Sequence, residues 1–194
     1  MLRNGRDGLD LRVGVKARPS RRRRTDATER VPPHDMNEEL SQRKSPVHCP
    51  PVASHNRSVI VFLTVCTAQR KPFLACEDVH QLLLASWQVA NNWVVGRYVL
   101  MPDHVHLFCA PASLQPLPLA KWVQFWKSHT SNRWPRPEER PVWQKSFWDT
   151  QLRRDDSYGT KWEYVRQNPV RRALVAKAED WPYQGELNIL EWHD

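Results

Sequence analysis

The chain has 194 residues, with 29 Lys+Arg against 21 Asp+Glu and a formal charge of +8, a size that suits one folded domain with an appendage. Its four cysteines, Cys49, Cys66, Cys76 and Cys109, form no Cys-X-X-Cys pair, which argues against a zinc ribbon or a disulfide framework and for reduced, mostly buried thiols. The most apolar run, Val59 to Cys66, has the length of a buried strand rather than a membrane span. No apolar segment follows the arginines Arg21 to Arg24, so an export signal is not indicated and a cytoplasmic location is expected.

Residues 1–51 hold 12 Lys+Arg and 7 Asp+Glu, so a net +5 of the +8 lies there. Rich in Arg, Pro and Ser and without apolar periodicity, this stretch reads as a disordered extension, either a solvated charge run or an arm that touches polyanions. A folded domain is expected over residues 52–185, followed by a tail at 186–194.

From residue 58 the elements follow in order. Residues 58–67 are β-branched and apolar and predict a strand. Residues 77–92 place Val79, Leu82, Leu83, Ser86 and Val89 on a helical period. Residues 94–100 and 104–110 predict two strands joined through Pro102-Asp103, a pair suited to a turn. Residues 117–134 predict a second helix with Trp122, Phe125 and Trp126 facing inward. Residues 148–153 predict a fourth strand, and residues 156–167 a last helix capped by Asp155 or Asp156. Strand, helix, strand, strand, helix, strand is the ferredoxin-like βαββαβ order, an α+β fold with an antiparallel sheet and an additional C-terminal helix.

Two short segments carry the chemistry. In a strand, alternate side chains share a face, so His104 and His106 project together and two imidazoles so placed can share a metal ion. A His-X-His pair also serves simply as a half-buried, hydrogen-bonded pair. On a helix, residues four apart are neighbours, which sets Tyr164 beside Asn168. By default such a tyrosine is core with its hydroxyl at the rim, and an Asn before Pro169 is a helix stop. A helix laid across the strand face would bring phenol, amide and imidazoles together. Tyr158 is a rival nucleophile at a poorer helical angle to Asn168. Arg153, Arg154, Arg166, Arg171 and Arg172 cluster around the last strand and helix and are candidate phosphate contacts or a solvated face. Of the ten tryptophans, Trp93, Trp143, Trp148 and Trp181 are candidates for base stacking, with burial the commoner fate.

The run Tyr98-Val99-Leu100-Met101-Pro102-Asp103-His104-Val105-His106-Leu107 resembles the His-hydrophobic-His strand of the single-tyrosine HUH transposases, the insertion-sequence-200-like group. Val142-Trp143-Gln144-Lys145-Ser146-Phe147-Trp148-Asp149, then Asp155-Asp156-Ser157-Tyr158, then Trp162-Glu163-Tyr164-Val165-Arg166-Gln167-Asn168-Pro169-Val170-Arg171-Arg172 follow the pattern of its REP-associated tyrosine transposase branch. The resemblance runs from about Ser58 to about Tyr183. Two departures stand out: Asp103 where many relatives carry Asn, and Ala173 where Gly is common.

The resemblance implies a DNA transposase and endonuclease that cleaves and rejoins single-stranded or hairpin DNA, with repetitive extragenic palindromes as partners. It implies Tyr164 as the nucleophile of a 5′-phosphotyrosine link, and His104, His106 and Asn168 as ligands of a divalent ion. Imidazoles suit Zn²⁺ or Mn²⁺ better than Mg²⁺, whereas the family is associated with Mg²⁺ or Mn²⁺. Some members exchange helices across a dimer, so monomer and homodimer are both open. Two other classes compete: a noncatalytic nucleic-acid-binding module of the same fold, and a metal-dependent hydrolase that activates water. Against the binder stands the lack of an aromatic RNP-type signature on the strands.

Overall fold

The computed structural model describes residues 59–152 and 157–191. The basic extension, and Arg153 and Arg154 among the candidate phosphate contacts, lie outside the described residues. The elements are β1 (Val61–Cys66), α1 (Glu77–Val89), β2 (Trp93–Met101), β3 (His104–Pro111), α2 (Leu119–Asn132), β4 (Trp148–Gln151), α3 (Tyr158–Arg166), α4 (Asn168–Arg171) and β5 (Gln184–Glu186), with short 3₁₀ turns that include Ala68–Arg70. The sheet order is β4-β1-β3-β2-β5, every pair antiparallel. The first four strands have the expected ferredoxin-like arrangement, and β5 is added at the β2 edge.

The alternation of side chains splits the apolar residues between two layers. On one face Leu63, Val65, Leu100, Val105 and Leu107 pack with Val79, Leu83 and Trp87 of α1 and Trp122, Val123 and Trp126 of α2. On the other, Ile60, Val99, Met101 and Phe108 pack with Tyr158 and Val165 of α3 and with Trp181 and Leu190. Trp122 and Trp126 are wholly buried, each favourable by roughly the 1.5–3 kcal/mol of a large buried side chain. The second layer fixes α3 on the histidine side of the sheet.

Several expected details differ. Phe125 is 47% exposed and Val89 56% exposed, because the buried stripe of α2 runs through Trp122, Val123, Trp126 and Thr130, and that of α1 through Val79, His80, Leu83, Ser86 and Trp87. The N-cap of α3 is Ser157, its hydroxyl accepting from the Thr160 N–H at 3.2 Å, whereas Asp155 and Asp156 lie outside the described residues. The packed body continues past residue 185, since Glu186 pairs with Arg97 in β5 and Leu190 is buried. Among the described residues no helix is long and apolar enough to cross a membrane.

Candidate active site

His104 and His106 sit on β3, the middle strand, opposite Cys66 and Thr64 on β1 and opposite Met101 and Val99 on β2. Their Nε2 atoms converge to 3.0 Å. Each ring is held from its other nitrogen. His104 Nδ1 lies 2.7 Å from Asp103 Oδ1, and His106 Nδ1 lies 2.9 Å from the Thr64 hydroxyl. The Phe62 ring stacks on His106 at 5.3 Å.

A donated Nδ1–H leaves Nε2 as a bare lone pair, which is how an acceptor behind an imidazole prepares a metal ligand. Thr64 serves His106 in both tautomers, because a hydroxyl both donates and accepts. Donating, it leaves Nε2–H to bond His104; accepting, it frees Nε2.

The protonation states agree with this arrangement. Burial pushes the His106 pKa well below 6.5, and the nearby charges of His104, Arg70, Arg171 and Lys161 push the same way. Burial also lowers His104, against the opposing pull of Asp103. Burial works to raise the Asp103 carboxyl, but His104, Arg70 and Arg172 outweigh it and hold the carboxyl below its ordinary value. The site is therefore two neutral imidazoles backed by a carboxylate.

Asp103 is itself anchored. Arg70 Nε lies 2.8 Å from its Oδ2, while Arg70 Nη1 donates to Cys66 Sγ at 2.7 Å. Gln69 and Arg70 both have φ of 57°, left-handed backbone that costs a non-glycine residue about 1–2 kcal/mol, and this brings the guanidinium onto the carboxylate.

α3 crosses the histidine face. Tyr158 and Trp162 contact Phe108 edge-on at 5.0 and 6.4 Å, and Lys161 Nζ stands 5.5 Å over the Phe62 ring. Tyr164 is 40% exposed. Pro169 does not end the helical path: α3 stops at Arg166 and α4 begins at Asn168 with the proline in its first turn, where its missing N–H has no cost. Arg171 ties the two candidate residues together. Its guanidinium lies 4.2 Å over the Tyr164 ring and donates to the Tyr164 carbonyl at 2.7 Å and to Asn168 Oδ1.

The other candidates divide. Arg171 and Arg172 lie close enough to affect the histidine pair electrostatically, and Arg172 lines a recess of about 330 Å³ with Arg70, Pro102, Asp103 and Leu174. Arg166 is instead paired with Glu163 at 3.3 Å and Glu179 at 3.2 Å. Tyr158 is buried, with burial raising its pKa, so it is the less accessible phenol. Trp93, Trp143 and Trp181 are buried, and Trp148 is half-buried. Among the described residues no three or more of His, Cys, Asp or Glu converge as a metal cage.

Sequence reasoning had missed Thr64, Arg70 and the role of Asp103. Asp103 announces itself only by adjacency to His104, Thr64 only through the β1–β3 register, and Arg70 by no sequence signal.

No family model matches the chain. It is 27% identical over 142 residues, 64% of this chain and 77% of the relative, to a Haemophilus influenzae protein whose name places it among the REP-associated tyrosine transposases. It is 23% identical over 124 residues, 63% and 73% of the two chains, to the REP-associated tyrosine transposase of Escherichia coli K12. A solved structure of a REP-associated tyrosine transposase bound to a REP hairpin is similar with a TM-score of 0.56 at 18% identity, over 70% of this chain and 81% of that one. Fold and site thus define an α+β protein with a histidine pair on a central strand and a tyrosine-bearing helix across it. Within that class the chain is similar in sequence to two proteins named as REP-associated tyrosine transposases and in fold to a solved structure of a REP-associated tyrosine transposase.

Proposed function

We propose that this chain is a metal-dependent, single-tyrosine HUH transposase that cleaves and rejoins single-stranded or hairpin DNA, its partners including repetitive extragenic palindromes, through a 5′-phosphotyrosine intermediate. The observation that carries the reading is the 3.0 Å convergence of the two Nε2 atoms, each ring oriented from behind. That spacing suits two nitrogens about 2.1 Å from a common ion. His104 and His106 would hold the ion, with Asn168 Oδ1 as third ligand. The Asn168 oxygen accepts from Arg171 and keeps a second lone pair for this purpose. Bound there, Mg²⁺ or Mn²⁺ would act as a Lewis acid on the scissile phosphate.

The remaining chemistry belongs to the chain. Arg171 sets the orientation of the Tyr164 ring against Asn168. The Tyr164 oxygen attacks phosphorus and loses its proton to solvent. An O–P bond to tyrosine forms, the bond from phosphorus to the 3′-oxygen breaks, and that oxygen leaves with the bonding pair and takes a proton from solvent to become a 3′-hydroxyl. Because the phosphoester is conserved in the covalent link, another 3′-hydroxyl can reverse the step without ATP. Arg172, at the recess beside Asp103, would contact a phosphate.

The test is incubation with labelled hairpin DNA and Mn²⁺ or Mg²⁺, followed by denaturing electrophoresis, beside Tyr164→Phe and His106→Ala. A metal-dependent, denaturant-resistant protein–DNA band, absent from both variants, is expected. Binding without an adduct in the wild type would leave a noncatalytic binder, and cleavage surviving Tyr164→Phe would leave a water-activating hydrolase.

A further inference from the structure

Tyr158 and Trp162 seat α3 on Phe108, and Lys161 stands on the same helix one turn before Tyr164. Residues three apart on a helix are neighbours, their Cβ atoms about 5–6 Å apart, so Lys161 and Tyr164 address the same space above the sheet. The Lys161 side chain is half-buried. Its ammonium stands 5.5 Å from the centre of the Phe62 ring, which itself stacks on the His106 ring at 5.3 Å. Those two separations bound the distance from ammonium to imidazole, and the charge is near enough to disfavour protonation of His106.

Among the described residues, the cationic side chains felt at the histidine pair are Arg70, Arg171, Arg172 and Lys161. Arg70 is committed to the Asp103 carboxylate and the Cys66 thiol. Arg171 is committed to the Tyr164 carbonyl and ring and to Asn168 Oδ1. Arg172 lines the recess on the Asp103 side. Lys161 approaches from the other end of the pair, since the β1–β3 register runs from Cys66 and His104 through Thr64 and His106 to Phe62 and Phe108. No carboxylate among the described residues pairs with it.

An aromatic face compensates a half-buried ammonium only weakly, and the imidazoles beyond it are neutral. Phe62 thus keeps the cation beside the site without competing for it as a carboxylate would. Lysine is a compact charge on a flexible stem, so the ammonium can move from the ring to a phosphate while α3 stays in place.

Attack on a phosphodiester builds negative charge on the nonbridging oxygens, and a cation held by the histidines would neutralise only part of it. We propose that Lys161 is a further catalytic residue of strand cleavage: its ammonium donates to a nonbridging oxygen of the scissile phosphate and stabilises the charge that grows there as the Tyr164 oxygen bonds to phosphorus. The assignment rests on the proposed function for the reaction itself. Lys161 gives a hydrogen bond and transfers no proton, so the bonds made and broken are those of the tyrosine step.

The experiment compares the full-length wild type with Lys161→Gln and Lys161→Arg. It measures the single-turnover rate of adduct formation on saturating hairpin DNA with Mn²⁺, the hairpin affinity, and Mn²⁺ binding by calorimetric titration without DNA. Thermal unfolding checks that each variant is folded. Removing one donor to a developing oxyanion typically slows chemistry by about 100–1,000-fold. Lys161→Gln should lose adduct rate in that range while hairpin affinity changes by less than about tenfold, and Lys161→Arg should recover most of the rate. Mn²⁺ should bind Lys161→Gln as tightly as wild type or about two- to threefold more tightly, because a like charge has left the neighbourhood. A lysine that merely shaped the site would weaken Mn²⁺ binding when removed. A Lys161→Gln rate within about threefold of wild type, a rate loss accompanied by weaker Mn²⁺ binding, or an arginine variant as slow as the glutamine variant overturns the assignment and leaves the tyrosine nucleophile standing. A wild type that forms no adduct removes the proposed function and the assignment together, so the wild-type reaction tells the two failures apart.

Discussion

At the scale of single residues, Asp103 carries the most consequence for its size. It accepts from the His104 ring and from Arg70 at once, so Asp103→Ala strands a buried imidazole N–H and a guanidinium together. An oxygen behind a metal-ligating histidine typically accounts for about 10–100-fold in affinity. Calorimetric titration of Mn²⁺ into Asp103→Ala should show a loss in that range, with Asp103→Asn milder because it keeps an acceptor oxygen. Equal affinities in wild type and Asp103→Ala would mean that the carboxylate does not prepare the ligand. The histidine pair was legible in the sequence because a strand's period places it on one face. What stands behind the pair was not. Asp103 reads as half of a turn, and it is that too, its carbonyl accepting from the Thr67 N–H at 3.0 Å; Thr64 needs a pairing register that no local pattern encodes. Arg171 reads as one more phosphate contact, yet in the fold it spans Tyr164 and Asn168.

At the scale of elements, α4 ends in a way that makes a prediction. Leu174 N–H bonds the Pro169 carbonyl and Ala173 N–H the Val170 carbonyl, both at 2.9 Å, the paired closure of a Schellman motif, with Ala173 at φ 53° in its left-handed position. Glycine is the residue that position favours. Ala173→Gly should therefore stabilise the protein by about 0.5–1 kcal/mol after the entropy glycine returns to the unfolded chain is counted, read as a higher urea midpoint at unchanged slope. A lower midpoint would show that the alanine methyl makes a contact worth more than the strain. The departure from the family pattern was visible in the sequence, but its cost depends on a dihedral that only the fold supplies. The main strands and helices were legible because their apolar residues keep one period over many positions. β5 was not, since Gln184-Gly185-Glu186 has neither apolar alternation nor β-branched residues and is held by pairing to Arg97, Tyr98 and Val99. The exposure of Phe125 has a similar origin: helical spacing admits it to the apolar stripe, and the face of α2 that is buried runs through Trp122, Val123, Trp126 and Thr130 instead.

At the scale of the whole molecule, the buried histidines couple folding to pH. His80, His104 and His106 all have folded-state pKa values below 6.5, chiefly through burial. Below that pH the unfolded chain binds protons that the folded chain refuses. The histidine contribution to stability is therefore full above about pH 6.5 and falls as pH drops from there toward the folded values, by about 1.4 kcal/mol per pH unit for each histidine so mismatched. Asp78 and Asp103, held below their ordinary carboxyl values, add a second loss only below about pH 4. Urea unfolding with a chelator present should show a declining midpoint between pH 7 and 5; a flat profile would mean that the histidines open to solvent without unfolding.

The second apolar layer couples the segment after β5 to the helix that carries Tyr164. Leu187 N–H bonds the Gly96 carbonyl at 3.0 Å and the Asn188 side-chain amide donates to the Val95 carbonyl at 2.7 Å, where the β2–β3 register shifts between Val95 and Tyr98. The bare Cα of Gly96 is what lets this segment close down. A Cβ there would lie 2.6 Å from Leu190 and 3.1 Å from the Tyr158 hydroxyl. Leu190 in turn packs in the cluster with Tyr158 and Val165 that seats α3 on the sheet. Leu190→Ala should cost about 2–5 kcal/mol as a buried large-to-small change, and Gly96→Val should destabilise by overpacking the same spot. If α3 depends on this packing, both variants speed amide hydrogen exchange in α3 while leaving α1 and α2, which pack on the opposite face, protected. Uniform acceleration across all three helices would show that the two layers unfold as one unit, and unchanged exchange in α3 would show that the tyrosine helix is held by its other contacts, among them those with Phe62, Phe108 and Arg97.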